Sequence, residues 1–377
     1  MDLSTLLGIA VLAFALIGVD TIRHAGSIVV EVTPAPAITG EVVDQGTLGA
    51  EFDDQLQAVA KTPSVVEPPE IRTSEDQGLG MEVAKAFGAK EVAYALQSAA
   101  GYAPDRVRLA LYLEHGQLRG HIDGKTRAVG IIDQVMIPYK DESEIAFVRR
   151  CGLWTASEIA PYITALYLIQ KHSNDRDFTD ASALIEHAEN ELPDTPISFD
   201  RSAFDNLRGI IFLFNNDARH AQEAFDHAIE EYPANPVAEI NAAFADLQID
   251  ENQKAQDRML KFTTETPPAN KELLGTAYMT WAAAEMALNH LDEADRLLAK
   301  AIAINPDSSS AYDLWAELKE LQGDKAGAAK YHLEARQNAA TFENYGEVAA
   351  LYFHLSWKAG EPVTLSKFTN PGIVSFH

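Results

Sequence analysis

Gly209-Ile210-Ile211-Phe212-Leu213-Phe214-Asn215-Asn216-Asp217-Ala218-Arg219-His220-Ala221-Gln222-Glu223-Ala224-Phe225-Asp226-His227-Ala228-Ile229-Glu230-Glu231-Tyr232-Pro233 is the stretch whose reading decides the fold. Counted from Gly209, offsets of twelve, sixteen, nineteen and twenty-four residues reach Ala221, Phe225, Ala228 and Pro233. Small residues at three of these places let two helices cross closely, a large residue fills the space between them, and proline stops the second helix. Thirty-four residues on, the same places hold Ala243, Ala255, Met259, Phe262 and Pro267. An insertion of about five residues near Ala269 to Leu274 precedes Ala282, Ala294, Leu298, Ala301 and Pro306. After another thirty-four come Ala316, Ala328, His332, Ala335 and Ala340. Upstream, Ile169, Ala181, Ile185, Ala188 and Pro193 give a fifth unit, again after a short insert. A fixed period of this size is the mark of stacked helical hairpins, and Asn216-Asp217, Asn289-His290 and Gly323-Asp324 supply turn residues at matching places.

This order of small, large, small and proline residues resembles the tetratricopeptide repeat, over about 180 residues from Tyr162 to Thr341. The match departs from the family where an aromatic is expected in the first helix of a unit, because Asp246, Glu285 and Lys319 stand there. The resemblance implies a groove lined by fixed positions of each first helix. Those positions are Asn206, Ile210, Leu213 and Phe214, then Ile240, Phe244 and Leu247, then Met279, Ala283 and Met286, then Asp313, Glu317 and Glu320. Apolar residues fill the middle and acid gathers at the C-terminal end. That pattern suits a partner helix or extended apolar segment with basic flanks, and lacks the Lys/Arg set that clamps a peptide carboxylate. The same residues would serve equally to pack against another part of this chain.

Outward from the repeats, Phe342 to Lys358 reads as a capping helix (343–359) for the open end of the solenoid, and 360–377, with Pro362 and Pro371, as an extended tail. On the N-terminal side, Ser27 to Val32 reads as a strand and Leu48 to Ala60 as a helix, with a loop or short edge strand between Lys61 and Gln77. Val107, Leu109, Leu111 and Leu113 alternate with Arg108, Ala110, Tyr112 and Glu114; His115-Gly116 and then Leu118, Gly120 and Ile122 complete a β-hairpin. Residues 25–140 are thus expected to form a small α+β domain, a short antiparallel sheet with helices on one face, followed by repeats over 141–342.

Leu3 to Val19 carries no charged residue, so residues 1–22 read as a membrane anchor helix, with membrane contact through residues 3–22. A cleaved secretory signal and a buried soluble helix are the competing readings; no Lys or Arg precedes Arg23 to make a signal's positive start. Anchor, α+β domain and repeats in this order, with the Gly101-Tyr102-Ala103-Pro104 turn, resemble bacterial membrane-anchored tetratricopeptide-repeat proteins. The resemblance implies a single-pass bacterial inner-membrane protein. Arg23 and His24 after the apolar run would keep the bulk of the chain in the cytoplasm by the positive-inside rule, whereas one N-terminal anchor ahead of a large domain is usual for export, and the periplasmic side is the expectation.

The fold class read from these patterns is mainly α, with a transmembrane helix, a small α+β domain and a solenoid of about five hairpins. With 56 acidic and 30 basic residues the formal charge is -26, which repels phosphate backbones and points away from nucleic acid. The chain has no phosphate-cradling loop, nucleophile elbow or zinc-protease helix, and Gly78-Leu79-Gly80 lacks the third glycine of a dinucleotide fingerprint. His115, His121 and Asp123 on one hairpin are weighed as metal ligands and read instead as solvent-facing strand residues. Cys151, the single cysteine, reads as a buried structural residue despite Arg149 and Arg150 beside it. No enzyme activity, cofactor, metal or small-molecule substrate is predicted. The functional expectation is a membrane-tethered scaffold or assembly factor holding a protein partner, with a permanent subunit of a membrane complex as the alternative and an enzyme acting through the α+β domain as a third.

Overall fold

The computed structural model describes residues 27–33, 45–64, 66, 70–73, 105–115, 117–126, 129–192, 198–338, 353–356 and 364–367. Two compact units emerge, one of residues 1–62 and 66–164, the other of 63–65 and 165–377.

The first unit is built on β1 (Ile28–Thr33), α1 (Gln45–Ala60), β2 (Ile71–Thr73), β3 (Asp105–Glu114), β4 (Gln117–Thr126), β5 (Gly130–Met136) and α2 (Glu144–Ile159). The strands form one sheet in the order β2-β1-β3-β4-β5. β1 runs parallel to β2 and β3, with Ile28 opposite both Ile71 and Asp105. β3, β4 and β5 are antiparallel, pairing Leu109 with Ile122 and Ile122 with Gln134. The sheet is therefore mixed, not the antiparallel one expected, because β1 reaches both neighbours by crossover connections and only β3 to β5 follow one another through short turns. His115 turns the first hairpin with a left-handed φ of 51°.

One sheet face carries Val107, Leu109, Leu111, Ile122, Ile132 and Met136, all buried, as are Phe52, Leu56 and Val59 of α1 and Phe147, Val148 and Cys151 of α2. Ser143 caps α2 by accepting a bond from the Ala146 amide. The stripe Phe147, Val148, Cys151, Thr155 packs α2 against α1 and β4. That contact moves the end of the first unit to about residue 164 from the expected 140. A helical period shows which face is apolar without showing which body it covers.

The second unit takes in, from residue 165 onward, the greater part of α3 (Pro161–Lys171) and then the helices α4 (Thr179–Asn190), α5 (Phe199–Phe214), α6 (Ala218–Glu231), α7 (Pro236–Gln248), α8 (Asn252–Glu265), α9 (Lys271–Ala287), α10 (Leu291–Ile304), α11 (Ser309–Leu321) and α12 (Lys325–Asn338). From α5 onward they pair as hairpins, α5 with α6 through α11 with α12, and each pair packs on the next. Every hairpin turns on three residues, whose middle one is left-handed: Asn216 (φ 59°), Asp250 (61°), Asn289 (62°) and Gly323 (76°). Asn, Asp and Gly tolerate that region best, so the turn residues recur with the repeat. Ser198, Asn235, Asn270 and Ser308 cap the first helices, each accepting from amides of the opening turn.

The phase read from the sequence holds for the four hairpins from α5 onward, whereas α3 and α4, expected as a fifth, are joined by residues 172–178 and do not pack on each other as a hairpin. Gly209, Ala243, Ala282, Ala316, Ala221, Ala255, Ala294, Ala228, Ala301 and Ala335 are all buried, as is Phe262 in a place of small residues. A Cβ on Gly209 would lie 2.2 Å from Phe225 Cε1, so the first helix needs a glycine where that ring crosses it. The five-residue insertion is absorbed in α9, which has 17 residues against 13 in α7 and α11; it adds one helical turn and one residue of loop.

β6 (Phe353–Ser356) and β7 (Thr364–Lys367) pair antiparallel. They replace the end of the expected capping helix over 343–359 and part of the expected extended tail. Phe353, Leu355 and Trp357 alternate with His354, Ser356 and Lys358, a strand period that competes with the helical one. The rest of that helix and the expected anchor over 1–22 lie outside the described residues. Among the described residues no helix is long and apolar enough to cross a membrane.

Candidate protein-docking surface

The expected groove residues fall into three rows along the first helices. Asn206, Ile240 and Met279 are 1%, 0% and 7% exposed and lead to Asp313; Ile210, Phe244 and Ala283 are 0%, 1% and 5% exposed and lead to Glu317. Leu213, Leu247 and Met286 are equally buried and lead to Glu320, with Phe214 beside them. Asn241 donates to Asn206 at 2.8 Å, joining α7 to α5 in the interior. Through three hairpins these side chains are core, and the surface opens only at the fourth, where Asp313 and Glu317 are half-buried and Glu320 is exposed. His332 lies between Asp313 at 3.2 Å and Glu320 at 3.5 Å. The structure thus brings the acidic end together as a surface and places the apolar middle out of a partner's reach.

The charged residues that stand in place of aromatics are joined in a ladder. Gln222, one residue after the small Ala221 of α6, donates to Asp246 of α7 at 2.5 Å. Gln256, one after Ala255 of α8, donates to Glu285 of α9 at 2.7 Å. Asp295, one after Ala294 of α10, accepts from Lys319 of α11 and from Trp315 Nε1, the latter at 2.9 Å. Asp246 is fully buried and is also held by Arg258 at 3.1 Å and Lys254 at 3.0 Å; Arg258 in turn reaches Asp226 at 2.7 Å. Burial works against the Arg258 charge, yet Asp246, Asp226 and Glu239 outweigh it and hold the guanidinium above its ordinary pKa. Glu285 takes further bonds from Trp281 Nε1 and His290, both at 2.8 Å. Sequence reasoning saw the departures and missed their partners, although the partners recur one residue after the small position of each second helix.

In the first unit, His121 pairs with Asp133 at 2.7 Å while Asp123 is taken up by Arg108 at 2.5 Å. The two hairpin residues weighed as metal ligands are therefore drawn to different partners, and His115 sits in the turn. The described residues hold no group of three His, Cys, Asp or Glu side chains placed to bind a metal ion. Cys151 lies under Gly120, Leu109 and Phe147 in the core, and burial pushes its thiol up to about 12.

No protein-family profile matches the chain, and no curated protein matches it. Among solved structures, that of MamA is similar at 20% identity over 45% of this chain and 92% of that one, with a TM-score of 0.34. PilF of Pseudomonas aeruginosa is similar at 15% identity over 50% of this chain and 78% of that one, TM-score 0.40. MamA of Desulfovibrio magneticus RS-1 is similar at 14% identity, covering 49% and 98%, TM-score 0.35. The assignment of the second unit as a tetratricopeptide-type array stands on its own helices: four hairpins in phase, left-handed turn residues in register and small residues at every crossing position but that of Phe262.

Proposed function

We propose that the chain is a protein-interaction scaffold tethered to a membrane through residues 3–22, holding a protein partner at the acidic fourth hairpin of its helical array. The observation that carries this reading is the change along the rows of the first helices, from sealed core through three hairpins to the acidic set of half-buried Asp313 and Glu317 and exposed Glu320. A rigid array loses little freedom when it binds, and a carboxylate set at its end attracts a basic flank of a partner segment. Tethering raises the local concentration of membrane-bound partners. In the proposed arrangement the array lies on the periplasmic side of a bacterial inner membrane, since large domains following one N-terminal anchor translocate largely regardless of charge.

The test is isolation of the full chain in mild detergent with identification of stoichiometric partners, beside the variant Glu317→Lys with Glu320→Lys. Loss of the partner with unchanged circular dichroism supports the reading; equal recovery from the variant overturns it. Deletion of residues 1–22 should move the chain to the soluble fraction, and a full-length chain released by a carbonate wash would remove the tether from the proposal.

A further inference from the structure

We propose that this chain forms a twofold-symmetric dimer by antiparallel pairing of the β5 edge with β5 of a second copy, centred on Gln134. Both edges of the sheet are open among the described residues, but they differ. β2 has three residues, a length too short to template another strand, whereas β5 has seven and pairs only with β4. Edges that must stay single carry lysine, proline or a bulge. β5 carries none of these. Its outward residues include Ile131 at 80% and Val135 at 49% exposed, and the strand line continues to Ile137 at 56%. The one charge on the strand, Asp133, is already engaged by His121 at 2.7 Å.

The order of residues selects the second copy as occupant, since an antiparallel pair about a twofold axis matches residues whose numbers have a constant sum. With the axis at Gln134, Ile131 faces Ile137 of the other copy, Ile132 faces Met136, and Asp133 faces Val135. Ile132 and Met136 are buried within each sheet, so this register carries each core up to the seam on either side of the Gln134 pair, and sets Ile131 on Ile137 beyond the Asp133–Val135 pair on the outer face. Moving the axis to Asp133 would put two carboxylates directly opposite, which is repulsive. Charge permits the approach: between Asp105 and Arg150 there are eight basic and seven acidic residues, a near-neutral stretch in a chain of formal charge -26. The rest of each copy repels the other at long range, so association should strengthen as salt shortens the screening length.

The experiment uses the full chain in detergent. Gln134→Cys should give a disulfide-linked dimer under mild oxidation, because only the residue on the axis faces itself, and Cys151 is buried. Asp133→Cys, set against Val135 of the other copy, should cross-link at least tenfold more slowly. Light scattering of the unmodified chain should give a protein mass rising toward twice the monomer with concentration, more readily at high salt. Adding Ile131→Lys and Val135→Lys, both at exposed places, should abolish the cross-link and leave circular dichroism unchanged. A monomeric mass at all concentrations, cross-linking at 133 as fast as at 134, or cross-linking indifferent to the lysines would overturn the dimer. A monomeric chain that loses a different co-purifying protein with the same lysines would assign the edge to a foreign strand, and also overturns it.

Discussion

Gly209→Ala sets two known effects against each other with opposite signs. In an isolated helix the change stabilises by roughly 0.8–1.0 kcal/mol, because alanine restricts the unfolded chain and glycine does not. In this array the new Cβ would fall 2.2 Å from Phe225 Cε1 and 2.6 Å from both Cδ1 and Cζ. Carbon atoms in contact sit about 3.5–4.0 Å apart, so ring and helix must separate by about 1.3 Å or more. Phe225 is fully buried and has no free direction to move. Overpacking of this kind costs about 1–3 kcal/mol, and at a 2.2 Å approach the upper part of the range applies. The net expectation is a loss of about 1–2 kcal/mol. Urea denaturation followed by circular dichroism reads it, because most of the helix lies in the array. Phe225→Leu should cost stability alone yet relieve the alanine, so that the double variant is less damaged than the two losses added. A Gly209→Ala chain as stable as wild type, or more so, would refute the close crossing and the repeat phase built on it.

Arg258→Met should destabilise by about 3 kcal/mol, since it removes a main partner of the fully buried Asp246, and Asp246→Leu added to it should recover much of the loss in the same urea titration. Phe244→Glu with Met286→Glu should collapse the array and not merely its binding, because both side chains are 1% exposed; native helix content in the double variant would show that the face is open after all. Iodoacetamide at pH 8 should leave Cys151 unmodified in the folded chain and label it in urea, since burial holds the thiol protonated with a pKa pushed up to about 12. Native labelling at the rate of a free thiol would contradict that placement.

The array was legible because its geometry is written residue by residue. A helix crossing at Gly209 and Ala228 tolerates only small side chains, and a left-handed turn at Asn216 favours few residue types, so the constraint survives as spacing. Even the insertion before α9 was visible as a phase shift, though not that it becomes one helical turn. The groove was legible as a set of positions but not as a surface, because Ile210, Phe244 and Met286 are apolar whether they meet a partner or the protein's own interior. β5 escaped notice for a related reason. Ile131-Ile132 breaks the alternation and Gln134 sits on the core side, so the period of two is blurred. The parallel pairing of β1 could not be read from local pattern at all, since it depends on where distant strands return. Phe353 to Ser356 satisfies strand and helix periods at once, and pairing with Thr364–Lys367 decides between them.

Asp246, Glu285 and Lys319 break the repeat pattern, yet each is bonded to the neighbouring second helix at the same place in the repeat. Apolar packing is non-directional, so an alanine-rich crossing alone would permit neighbouring hairpins to slide or exchange. A hydrogen bond to a buried charge has direction, and leaving the charge unpaired costs far more than the bond gains. The last rung is also not interchangeable with the other two. Gln222 meets Asp246 and Gln256 meets Glu285, but the last rung inverts the polarity, with Asp295 meeting Lys319. Seating the Asp246 hairpin on Asp295 would bury two carboxylates together, and seating Lys319 on Gln222 or Gln256 would leave a cation without its anion. The substitutions that depart from the repeat pattern therefore set the last junction apart from the two before it, a distinction that small residues recurring at the crossings cannot encode.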